Sequence, residues 1–483
     1  MKRRSGLNIC MLTLLLILTS SIFVFANPEG EAHNLGERLP IWSVLPFVGM
    51  LLSIAIVPLV KGEWWERNLL KVSIFWSLTF LVPFAIFFSP GESLYQVLEI
   101  VLLDYLPFIV LLFGLFVVSG GIVLRGSLAG TPKVNVVILT IGTLLSSWIG
   151  TTGASMLLIR PIIRANQWRE KKAHIIIFFI FLVSNIGGCL TPIGDPPLFL
   201  GFLRHVPFFW TLRLLPLMLF NAVILMIVFF IMDMRNYKRE IAAGRSPVKE
   251  GAKNEKLRVE GTINFIFVLM IVGAVILSGF LAKMPALLDS AGNPMGVTIY
   301  GVTLGWNSII QMAIILFAAF LSMKFTSKKT REDNFFTYGP IKEVAELFIG
   351  IFLTMIPALA LLGAHGSSLG LEKPSQFFWA TGLLSSFLDN APTYLVFMTT
   401  AGSLGATAGL ATTVGVIAPK ILVAVSAGAV FMGANTYIGN APNFMVRSIA
   451  EENKIKMPSF FGYMGWSILF LIPLFVLNTL IFF

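Results

Sequence analysis

The chain has 483 residues, of which 56% are hydrophobic and only 12% charged, and its mean hydropathy is +0.86. Soluble domains carry about twice that share of charge, so a water-soluble enzyme or binding module is excluded and a multi-pass membrane protein is expected. The net charge of +11 does not point to nucleic acid, because the basic residues fall between apolar runs, and the two cysteines, Cys10 and Cys189, offer neither a disulfide framework nor a metal spacing.

Lys2, Arg3 and Arg4 precede an apolar run from Ile9 to Phe25, and Val24-Phe25-Ala26 fits a small-residue cleavage site. Residues 1–26 therefore read as a signal peptide or an uncleaved first transmembrane helix, and either leaves Asn27 outside. Spans are predicted over Ile41–Val60, Val72–Phe88 and Leu106–Leu124, then a helical hairpin over Val134–Ile163, then spans over Ile175–Phe202 and Phe209–Met232. These make up a first half, 27–232. The basic stretch Asp233–Glu260 reads as a solvated cytoplasmic linker. The second half, 261–483, repeats the pattern: Ile263–Leu281, Ser308–Met323, Val344–Leu362, a hairpin over Phe377–Met398, then Val414–Val446 and Gly462–Phe482.

Charge tests this plan. With Asn27 outside, Lys61, Arg67, Lys71, Arg125 and Lys133 fall inside, as the positive-inside rule requires, while Glu92, Glu99 and Asp104 fall outside. Arg164, Arg169, Lys171 and Lys172 fall inside only if Val134–Ile163 enters the membrane and returns. Each half then has about five spans plus one re-entrant hairpin. Five is odd, so the expected fold is an all-α membrane protein of two inverted repeats. Arg160, Arg164, His174 and Lys420 lie near predicted span ends and read as interfacial anchors.

The repeat is visible in the residues themselves, about 240 positions apart. Leu144-Leu145-Ser146-Ser147 and Thr191-Pro192-Ile193-Gly194-Asp195-Pro196-Pro197 recur as Leu383-Leu384-Ser385-Ser386 and Thr436-Tyr437-Ile438-Gly439-Asn440-Ala441-Pro442. Prolines and glycines in mid-span free backbone groups that lipid cannot satisfy. A proline kink packed by glycines is the simpler reading, but three prolines, three glycines and an acid together in the first break argue for an unwound ligand site at the midplane.

Asp195, with Asn185, Thr191 and Gly194, is the sharpest candidate, because an acid at membrane depth is costly and tends to face a polar site. Asp389, with Asn390 and Thr393, sits at the tip of the second hairpin, where capping the returning helix and binding an ion are compatible roles. Asn435, Thr436, Asn440 and Asn443 of the second break supply neutral oxygens. Thr151 and Thr152 supply hydroxyls at the first hairpin tip. Sodium ligation is expected of Asp195 and Asp389. Desolvation disfavours a bare carboxylate, and either a proton or a cation relieves it, so the two compete for one site. His33, His174, His205 and His365 are scattered, and no catalytic triad or nucleotide motif is present, so no enzyme activity and no organic cofactor is expected.

At these motifs the chain resembles the ion transporter superfamily, which includes NhaD-type sodium/proton antiporters, arsenite permeases, citrate transporters and divalent anion/sodium symporters. Asn185-Ile186-Gly187-Gly188 with Thr191 to Pro197 is similar to its first signature, Leu388-Asp389-Asn390-Ala391-Pro392 to its second hairpin, and Gly433 to Pro442 to its second break. The resemblance implies a homodimer in a bacterial inner membrane, with a fixed scaffold and a transport unit moving elevator fashion. One departure is that Gly150-Thr151 stands where relatives often carry Asp-Asn. The expected function is sodium:proton antiport, since the breaks hold acids and amides but no Arg or Lys. The alternative is sodium-coupled citrate or dicarboxylate transport. The partners expected are lipid and a small ion or carboxylate, with no nucleic acid.

Overall fold

A computed structural model describes residues 35–126, 128–246 and 258–483. The leader assigned to residues 1–26, Asn27, Cys10, His33 and part of the linker lie outside them. Among the described residues, ten helical stretches are long and apolar enough to cross a membrane.

The first two fall largely in α1, Leu45–Phe87, in which only Lys61 leaves helical geometry. Two spans were expected here with a loop between them. The structure turns the chain at that single residue, and Trp76 Nε1 donates to Ser53 Oγ at 3.0 Å across the fold-back. The polar residues after Lys61 have no glycine or proline beyond Gly62 to stop them, so they wind helically instead of forming the loop. Next come α2 (Pro90–Glu99) and α3 (Leu106–Ser119), joined through a π-helical turn at Ile100–Tyr105 that aims Asp104 inward. Asp104 there pairs with Arg204.

The first hairpin is α4 (Pro132–Ile149) and α5 (Thr151–Ala165), turning at Gly150, whose φ of +79° favours glycine. Its two ends meet, with Gly130 N donating to Ala165 O at 2.9 Å. Helix α6 (Ala173–Leu182) follows, then a 3-10 turn at Ile186–Leu190, then α7 (Pro196–Leu203). Every residue of α6 after the first is buried, which is why its sequence is apolar all round and lacks an amphipathic stripe. Helix α8 is Leu215–Ala242.

The second half carries α9 (Ile263–Leu281), α10 (Trp306–Phe325) and α11 (Gly339–His365). A second hairpin follows, α12 (Pro374–Phe387) and α13 (Asn390–Gly402), and then α14 (Pro419–Met432), a 3-10 turn at Gly433–Asn435, α15 (Ala441–Glu452) and α16 (Phe460–Phe482). The order hairpin, helix, 3-10 break, half-helix thus occurs twice. Helices α12 and α14 approach closely: a Cβ on Gly428 would lie 2.6 Å from Phe378 O, so glycine is required there.

The linker expected over Asp233–Glu260 is corrected in two places. Helix α8 runs on to Ala242, because no helix breaker intervenes before Gly244, whose φ of +78° ends it. Residues Arg258–Glu260 form a strand paired antiparallel with Val123–Arg125. Asp233 itself is fully buried. It pairs with the buried Arg169, accepts from Asn135 Nδ2 at 3.0 Å and meets His174 Nε2 at 2.8 Å. His174, read as an anchor, is part of this buried network.

Breaking a buried ion pair by deleting one partner costs about 3–5 kcal/mol, because the other charge stays behind unpaired. Asp233→Ala is therefore expected to lower the apparent melting temperature in detergent, and a paired Arg169→Met, Asp233→Leu variant to recover most of the loss. A paired variant no more stable than the single one would contradict the assignment.

Candidate functional site

The two breaks and two hairpin tips converge on Asp195. This residue is the N-cap of α7, has extended backbone geometry and is 1% exposed. Its carboxylate accepts from Thr151 Oγ1 at 3.0 Å, from Asn440 Nδ2 at 3.2 Å and from Asn390 Nδ2 at 2.6 Å. These donors come from the first hairpin tip, the second break and the second hairpin tip. All three are neutral. Among the described residues no Arg, Lys or His hydrogen-bonds this carboxylate.

A ring of amides supports the centre. Asn440 Nδ2 also reaches Asn185 Oδ1 at 3.2 Å and Ser184 O at 3.1 Å. Asn185 Nδ2 donates to Asn443 Oδ1 at 2.7 Å, and Asn443 Nδ2 in turn donates to Gly433 O and Thr436 O at 2.8 and 2.9 Å. Side chains thereby take up carbonyls that the breaks set free.

The hairpins and breaks are joined by matching pairs. Thr191 Oγ1 donates to Ser147 O, and Thr436 Oγ1 donates to Ser386 O. Ser147 Oγ also donates to Gly187 O and accepts from Leu190 N at 3.0 Å, while Ser386 Oγ donates to Met432 O at 3.1 Å and accepts from Asn435 Nδ2 at 2.9 Å. In the sequence the duplicated Leu-Leu-Ser-Ser is legible only as a repeat marker, with nothing to assign these serines a role. Gly194 holds the tip of the first hairpin through its carbonyl, which accepts from Thr151 N at 2.8 Å.

Several candidates make no hydrogen bond to the Asp195 carboxylate: Thr191, Asn435 and Thr436 brace the breaks instead, and three more stand at the hairpin tips. Asp389 caps α13, accepting from Ala391 N at 3.0 Å, and its carboxylate makes no hydrogen bond to the Asp195 group. It is tied to that group through its neighbour Asn390. Thr393 Oγ1 donates to Asp389 O at 2.9 Å, a local helical bond. Thr152 is half-buried and makes no side-chain hydrogen bond among the described residues. Two buried amide oxygens, Asn390 Oδ1 and Asn435 Oδ1, have no hydrogen-bond donor among the described residues.

A family model described as "Putative citrate transport" matches residues 36–483. The chain belongs to that family. This citrate-transporter-like protein is therefore a multi-pass membrane protein of the secondary-transporter class, and the match runs through both breaks and both hairpins. No curated protein matches the chain.

In this citrate-transporter-like chain the breaks depend on two glycines at equivalent places. A Cβ on Gly194 would fall 2.1 Å from Gly188 O, and one on Gly439 2.5 Å from Gly433 O. Both obstacles are backbone and cannot rotate away. Gly194→Ala and Gly439→Ala are expected to cut transport at least tenfold with the protein still inserted, whereas Gly273→Ala, with open space around it, is the neutral control. Wild-type rates in both break variants would contradict the geometry.

Proposed function

We propose that this protein is a sodium:proton antiporter of the bacterial inner membrane, with Asp195 as the site that sodium and protons share. The observation that carries this reading is a fully buried carboxylate ringed by neutral donors, with no cationic partner among the described residues. A bare carboxylate in that setting is unfavourable, and a proton or a metal cation relieves it. Asn390 Oδ1 and Asn435 Oδ1, two buried oxygens without donors, are the neutral ligands we assign to the cation alongside Asp195. Asp389 would contribute charge from the helix cap rather than by direct ligation.

The membrane arrangement belongs to the same proposal. Two inverted repeats, 27–232 and 261–483, would each carry a re-entrant hairpin. The recurring element order supports the duplication, and the meeting of Gly130 with Ala165 supports entry and return of the first hairpin from one side. A unit made of both hairpins and both broken helices would carry the site across, elevator fashion, against a scaffold that includes α3 and α11, in a homodimer.

Sodium-coupled citrate or dicarboxylate transport is the second reading. It is favoured by the family description and by the half-helix N-termini at Thr151, Asn390, Asp195 and Asn440, whose positive dipole ends suit an anion.

Flux in proteoliposomes separates the two. A sodium gradient should move protons with no organic acid present, and Asp195→Asn should reduce this to the level of empty liposomes. The variant keeps one acceptor oxygen and sets an N–H2 against neighbouring donors, a loss of about 1–3 kcal/mol that leaves the protein folded. Sodium uptake strictly dependent on citrate would reject antiport, and normal flux in Asp195→Asn would remove Asp195 from the mechanism.

A further inference from the structure

We infer that Arg160 and Arg164 form a binding site for a phosphate-bearing anion at the cytoplasmic seam between the first hairpin and the neighbouring helices. Arg160 is half-buried on α5, and its Nη1 is buried with no hydrogen-bond partner among the described residues. Among the described residues no carboxylate lies within ion-pair distance of it. Glu452 is the acid that acts on it, from further away. A charged donor left unmet out of water is costly, so the site is incomplete without an acceptor.

The surroundings specify its chemistry. Phe335 lies over the guanidinium, with the ring centroid 4.7 Å from Arg160 Cζ, and the ring is itself exposed, which leaves a face open at the seam. Arg164, one turn further along, is exposed and spends one donor on Leu124 O at 3.1 Å. The nearby acids are already engaged: Asp333 and Glu260 both pair with Arg125. Two guanidiniums with free donors against one distant acid make a forked donor set suited to phosphate oxygens.

Depth favours a lipid headgroup as the source. Arg160 is ten residues beyond the Gly150 turn, about 15 Å along the helix. That is about half the thickness of the hydrocarbon core. With the turn near the midplane, as the proposed membrane arrangement has it, the guanidinium reaches the depth of headgroup phosphates, where basic pockets between helices take anionic lipids.

The test uses purified full-length protein and native mass spectrometry with phosphatidylglycerol or phosphatidylcholine added. Wild type should retain phosphatidylglycerol preferentially, on the order of tenfold, and the Arg160→Gln, Arg164→Gln variant should lose that preference. If the anion is free rather than lipid-borne, inorganic phosphate should raise the melting temperature of wild type in phosphatidylcholine but not that of the variant, with no lipid preference. Equal retention of both lipids with no effect of phosphate overturns the site, as does a preference unchanged in the variant. Should the double variant fail to fold, Arg164→Gln at its exposed position is expected to weaken the preference, and an unchanged preference there counts against the site. Sodium-driven proton flux is not the readout, so failure of the antiport reading leaves the result standing.

Discussion

Both breaks and both hairpin tips meet at one constraint: a carboxylate deep in the protein has hydrogen-bond donors but, among the described residues, no countercharge. Thr151, Asn390 and Asn440 each send a neutral donor to Asp195 from a separate chain segment. A structural ion pair would have been solved differently, and the same protein shows how. Asp233 is equally buried, yet it has Arg169 and His174 against it. The contrast between these two acids is the ground for the proposed exchange site: Asp233 is held by charged partners, whereas Asp195 has only neutral donors among the described residues.

The breaks that create the site would be untenable in lipid without compensation. Freed carbonyls of one element are met by side chains of another: Thr191 and Thr436 donate to the last turns of the hairpin helices, Asn443 donates to two carbonyls of the second break, and Asn185 and Asn440 link the breaks to each other. Glycines allow the backbones to come close enough for this. The charged contact between Arg204, at the end of the first break's half-helix, and Asp104, in the π-helical turn, joins the broken-helix unit to the helices beside it. Any relative movement of those two parts has to part that pair.

Much of this was legible in the chain. Apolar runs gave the spans, and proline and glycine inside them gave the breaks at Ile186–Leu190 and Gly433–Asn435. An acid and an amide at matching places in the two breaks pointed to Asp195 and Asn440, and both meet in space. What the residues could not reveal was long-range pairing. That Asn390 rather than Asp389 reaches Asp195 depends on a turn geometry in which the acid caps its own helix. The basic run after Asp233 reads as loop from its polarity alone, whereas helix propensity and the Arg169 contact carry α8 into it as far as Ala242. Ser147 and Ser386 were visible only as a repeated motif, since their partners are carbonyls some forty residues away.

The most direct test of the account is equilibrium binding of radioactive sodium to the purified protein across a range of pH. If Asp195 is the shared site, wild type binds sodium in competition with protons, so that apparent affinity falls as pH falls, and Asp195→Asn abolishes the binding. Sodium binding that is independent of pH, or that survives in Asp195→Asn, would contradict it.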